Sequence, residues 1–114
     1  MSKPIAMGKI ARDGRILKAT PGITIKTNTV DEGWPEGYIV SLPDRLVTDK
    51  NYIVQLTTDC ETDSDPHWST IMLMQQSTSG FYVFIYGDNS QDNGGRGPDK
   101  DYLKRDWHFV IYDL

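Results

Sequence analysis

The sequence predicts an all-β domain, an antiparallel β-sandwich of about eight short strands with a long loop before the last one. Three observations predict it. Short runs of β-branched and aromatic residues recur along the chain and are cut apart by Gly, Pro, Asn and Asp. No apolar stripe of helical spacing extends over ten or more residues. The two most apolar runs, residues 80–86 and 107–112, flank residues 87–106, which have no hydrophobic period at all. A loop of that length in a small domain is either functional or disordered, so the chemistry is expected at the end of the sheet where it emerges.

Taken in order, residues 5–10 form a first short strand. Asp13-Gly14 then supplies a tight hairpin turn, because Gly takes positive φ without steric cost. Residues 16–19 return, Thr20-Pro21-Gly22 breaks the strand, and residues 23–27 alternate β-branched side chains with period two. Residues 28–37 read as a polar loop that carries Trp34. Residues 38–42 form a strand stopped by Pro43, and residues 44–51 contain a turn. Residues 52–58 place Tyr52, Val54 and Leu56 on one face. A second polar loop, residues 59–68, leads to a strand over 69–75 with Ile71 and Leu73 on one face and Met72 and Met74 on the other. Ser77-Thr78-Ser79-Gly80 is a turn of small residues.

In the two closing strands, Phe81, Val83, Ile85 and Trp107, Phe109, Ile111 form the expected core. Their opposite faces, Tyr82, Phe84, Tyr86 and His108, Val110, Tyr112, are also largely apolar. Strands apolar on both faces in so small a domain predict burial against another subunit, hence a homo-oligomer.

The 114 residues form one domain, 1–114, with room for a single core. No run reaches membrane-spanning length and no export signal opens the chain, so synthesis in a cytoplasm without membrane insertion is expected. Sixteen acidic against 12 basic residues, the latter scattered singly, argue against nucleic acid as a partner. The single cysteine, Cys60, excludes an internal disulfide framework and a cysteine-based zinc site.

Candidate ligand-binding groups concentrate in residues 87–106. Asp88, Asn89, Asp92, Asn93 and Arg96 offer planar hydrogen-bonding groups of the kind that pair with vicinal hydroxyls, and Tyr102 offers a ring for stacking. Trp34 either folds back over a sheet edge or presents a flat face to a sugar ring. Asp88, Asp92, Asp99 and Asp101 are hard oxygen donors, but Asn93 stands where an EF-hand loop needs glycine. The acidic run Asp59, Glu61, Asp63 and Asp65 reads as a solvated loop. His67 and His108 lack zinc-motif spacing, and Cys60 has no nucleophile signature around it. No metal, cofactor or catalytic residue is therefore expected. A carboxylate pair could serve a glycosidase, yet among 16 acidic residues some pair falls at a suitable separation by chance.

Two stretches carry a resemblance. Ala11-Arg12-Asp13-Gly14-Arg15-Ile16-Leu17 with Gly22, then Glu36-Gly37-Tyr38-Ile39-Val40-Ser41-Leu42 and Asn51-Tyr52-Ile53-Val54-Gln55-Leu56, resembles the receptor-binding domains at the ends of bacteriophage tail fibres. Ser79-Gly80-Phe81-Tyr82-Val83 and the closing Trp107-His108-Phe109-Val110-Ile111 are similar to strands of H-type lectin-like domains found in such fibres. The resemblance implies a homotrimeric β-sandwich on a virion tail, made in the host cytoplasm, that recognises a cell-surface glycan and touches other virion proteins. It carries over no individual sugar-contacting residue. The alternative expectation is a structural virion or assembly protein that makes protein–protein contacts only.

Overall fold

The computed structural model describes residues 3–28, 36–59, 69–88 and 100–113, which form nine strands and no helix. They are β1 (Ala6–Ile10), β2 (Ile16–Ala19), β3 (Thr24–Asn28), β4 (Gly37–Ser41), β5 (Ile53–Thr58), β6 (Ser69–Ser77), β7 (Gly80–Asp88), β8 (Lys100–Tyr102) and β9 (Trp107–Tyr112). Every pairing is antiparallel. The first sheet has the order β2-β1-β9-β5; the second has β3-β4-β7-β6, with β8 added to β7 beyond the end of β4.

Period-two alternation explains how the sheets meet. In β9 the exposure alternates residue by residue, and Trp107, Phe109 and Ile111 are all essentially fully buried. Across register they stand beside Ile10, Gly8 and Ala6 on β1, and beside Thr58, Leu56 and Val54 on β5. The facing layer comes from Tyr38 and Val40 on β4 and Phe81, Val83 and Ile85 on β7. Phe81 meets Phe109 edge-on with centroids 5.7 Å apart, and Tyr38 tilts against Trp107 at 5.3 Å. Such aromatic pairs add about 1 kcal/mol each beyond their buried area. The two expected core faces are therefore the halves of a sandwich core.

Gly8 is the small residue that makes room for Phe109: a Cβ there would stand 2.5 Å from the ring. The β1–β2 turn forms as Asp13-Gly14 predicts, with Gly14 at φ 90° and the Asp13 carboxylate accepting from the Arg15 amide at 3.0 Å. The β6–β7 turn is clamped by a core residue from the segment before β5. The Tyr52 hydroxyl donates to the carbonyls of Ser77 at 2.7 Å and Gly80 at 3.1 Å.

Two elements differ from the sequence reading. The stretch 87–106 is not one continuous loop: β7 runs on through Asp88, and Lys100–Tyr102 pairs back onto it as β8. Its Lys-Asp-Tyr sequence has no alternation of its own, so the strand forms because β7 offers an open ladder edge beyond β4. Asn28, expected to open a polar loop, is instead the last residue of β3, paired with Gly37.

Candidate functional site

The strand register gathers one end of the sandwich. Ile10 and Thr58 both pair with Trp107, Asn28 with Gly37, Ser69 with Gly87, and Asp88 with Lys100. Segments 29–35, 60–68 and 89–99 all connect strand ends at this end, where the β1–β2 turn also lies.

Two concavities share Asn28, which stands at this end; the larger runs from there along the sheet to the β6–β7 turn at the other end. The larger, about 380 Å³, is lined among the described residues by Asn28, Gln75, Ser41, Ser77 and Ser79 around Ile39 and Tyr82. Ile39 and Tyr82 are register partners on the face of β4 and β7 opposite the core, so the groove lies on the outer side of the second sheet. Among the described residues its polar lining consists of hydroxyls and amides, with no carboxylate, ammonium or guanidinium. Gln75 reaches it from a bulge between Met74 and Ser77 and has a positive φ of 56°, an uncommon conformation for a residue with a side chain.

The smaller concavity, about 160 Å³, is a cleft between the two sheets, lined by Arg12, Asp13, Thr27, Asn28, Glu36, Tyr38 and Lys104 among others. Its walls are tied by polar contacts. The Tyr38 hydroxyl donates to the Arg12 carbonyl at 2.7 Å, the Arg12 amide donates to the Asp106 carboxylate at 2.9 Å, and Lys104 pairs with Glu36 at 3.4 Å. Burial, reinforced by the negative charges of Glu36, Asp106 and Asp13, pushes the Tyr38 phenol up to about 12. Tyr38 is therefore a neutral donor at physiological pH.

Asn28 lines both concavities. It is the one buried amide or charged side chain among the described residues, at 4 % exposure, and its Nδ2 donates to the Tyr82 hydroxyl at 2.7 Å. A buried amide requires such a partner, since leaving it unpaired costs about 1–3 kcal/mol. Nothing in the sequence marked it, because Asn at the edge of a polar stretch reads as a loop former.

Trp34, Asn89, Asp92, Asn93 and Arg96 lie outside the described residues. Asp88 stands at the end of β7 and not within a loop, and Tyr102 belongs to β8. The Tyr102 ring packs edge-on against Phe84 at 5.9 Å and Tyr86 at 5.3 Å. All three sit on the outer side of the second sheet, the same side as the groove. The apolar outer face of β7 is thus covered in part by β8 of the same chain. Among the described residues, no three metal-ligating side chains come together.

Compared with protein-family models, curated proteins and solved structures, the chain matches none.

Proposed function

We propose that this chain is a carbohydrate-binding β-sandwich module of a bacteriophage or prophage tail fibre or tail tip, and that the groove on the outer side of the second sheet takes the sugar. The observation that carries the binding reading is the lining of that groove. Hydroxyls and amides of Asn28, Ser41, Gln75, Ser77 and Ser79 surround Ile39 and Tyr82, with no formal charge among the described residues. Neutral groups that both donate and accept match vicinal hydroxyls, whereas a phosphate or a carboxylated ligand calls for a cation. The volume falls within the range of small-molecule sites, which begins at about 300 Å³. The tail-fibre assignment rests on the sequence resemblance. A shallow site of this kind binds weakly, and an oligomer raises the effective affinity by multivalency.

The test is a bacterial glycan array probed with the purified chain and with Gln75→Gly, a change that suits the positive φ and removes the side chain from the groove. Binding to a polysaccharide that weakens severalfold in the variant supports the reading. An array that stays dark overturns it, and binding untouched by Gln75→Gly moves the sugar elsewhere.

A specific observation favours the structural reading as well. Among the described residues, four of the five exposed large hydrophobic ones, Met7, Ile16, Leu17 and Ile53, belong to the first sheet, and Met7 is 51 % exposed. On its outer side Met7 stands beside Val110, and Ile53 beside Tyr112. An apolar surface of this type fits a protein contact, either a further copy of the chain in a homotrimer or another virion protein.

A further inference from the structure

Resting on the carbohydrate reading above, we infer that the ligand is an extended oligosaccharide, which runs from the neutral groove past Asn28 into the polar cleft between the sheets. Three observations carry it. Asn28 lines both concavities, so the groove and the cleft lie on either side of one residue, close enough for successive rings of one chain. The cleft, at about 160 Å³, is smaller than ordinary ligand sites on its own and gains a role as an extension of the groove. The two differ in chemistry: the described lining of the groove is uncharged, while the cleft presents the Glu36–Lys104 pair at its mouth.

That pair is suited to such a role. The Lys104 side chain is 66 % exposed and that of Glu36 is 34 % exposed, so the contact is well hydrated. Exposed pairs of this kind contribute little to stability. Opening it toward a ligand therefore costs the fold little, and both partners then serve as charge-assisted groups for ring hydroxyls. Asn28 is placed to fix the joint, because its amide is already oriented by the Tyr82 hydroxyl.

The experiment is a length series. The polysaccharide that gives the strongest array signal is cut into fragments of increasing ring number, and calorimetry measures each against the native chain, Glu36→Gln and Lys104→Met. The expected result is a rise of about tenfold in affinity from a single ring to the longer fragments. The two variants lose most of that rise and keep native affinity for the single ring. Single rings that bind as tightly as long fragments overturn the inference and leave the carbohydrate reading standing. Variants that weaken single rings and long fragments alike also overturn it, since the cleft is then not a separate extension. An array with no signal removes both readings together.

Discussion

Thr58 and Trp107 stand opposite each other across β5 and β9, and each buries a polar atom, Oγ1 and Nε1, that has no hydrogen-bond partner among the described residues. Two orphaned groups side by side on the inner face of a sheet are unusual, because a buried donor without a partner loses its hydration for no return. Thr58→Val replaces one of them with an isosteric methyl. The expected outcome is unchanged or increased stability in urea denaturation, within about 1 kcal/mol of the native chain. A loss above about 2 kcal/mol shows that the hydroxyl has a partner in the folded state.

Tyr52 offers the opposite case. Its hydroxyl is shared between the carbonyls of Ser77 and Gly80, the two ends of the β6–β7 turn. Tyr52→Phe leaves both carbonyls without that donor and is expected to cost about 1–2 kcal/mol. Urea denaturation measures it, and amide hydrogen exchange locates the loosening in β6 and β7.

Gly80 is held to a single residue type by geometry. Its φ is 152°, and a Cβ would collide with the Val40 carbonyl oxygen on the neighbouring β4. Gly80→Ala is expected to destabilise by more than about 2 kcal/mol, since backbone and not a flexible side chain must move. A variant melting within a degree or two of the native chain refutes this packing.

Alkaline pH reads the two buried phenols. Burial raises both Tyr38 and Tyr52 from 10.0 to about 12, with Glu36 and Asp106 adding to the effect on Tyr38. A phenol that holds its proton more tightly when folded stabilises the fold. That contribution is complete below pH 10.0, where the unfolded chain is also protonated. It is lost as the pH rises from about 10 to about 12. Stability is therefore expected to fall across that window. Tyr38→Phe combined with Tyr52→Phe flattens the fall, as denaturation midpoints at a series of pH values would record.

Self-association tests the exposed side of the first sheet. If Met7 and Ile53 face a neighbouring subunit, the mass from light scattering exceeds that of one chain, and Met7→Ser with Ile53→Ser returns it to the monomer. A monomeric native chain at high concentration removes self-association as the role of this surface and leaves only contact with a different protein.

Legibility from sequence followed the strength of alternation. Trp107, Phe109 and Ile111 announced their buried face because every second residue is large and apolar, and Asp13-Gly14 announced its turn through the conformation only glycine takes easily. Lys100–Tyr102 carried no such signal, and the register of β7 makes it a strand. The groove was illegible for a related reason. Asn28, Ser41, Gln75 and Tyr82 lie on four different strands, so only β-pairing brings them together, and none forms a local motif. Tyr102 reads as a stacking ring because nothing local to it reveals that Phe84 and Tyr86, brought alongside by the β7–β8 pairing, pack against it.

The shared end of segments 29–35, 60–68 and 89–99 has a consequence for how such a chain can change. The opposite end is fixed by the turn after β2 and by the Tyr52 clamp on the β6–β7 turn. Strand register is set within the two sheets, independently of the length of these three connectors. By closure entropy alone, doubling the length of a loop costs only about 0.6 kcal/mol. The nine strands can thus serve as a constant mount that accepts exchange or lengthening of its connectors with little change in its own stability.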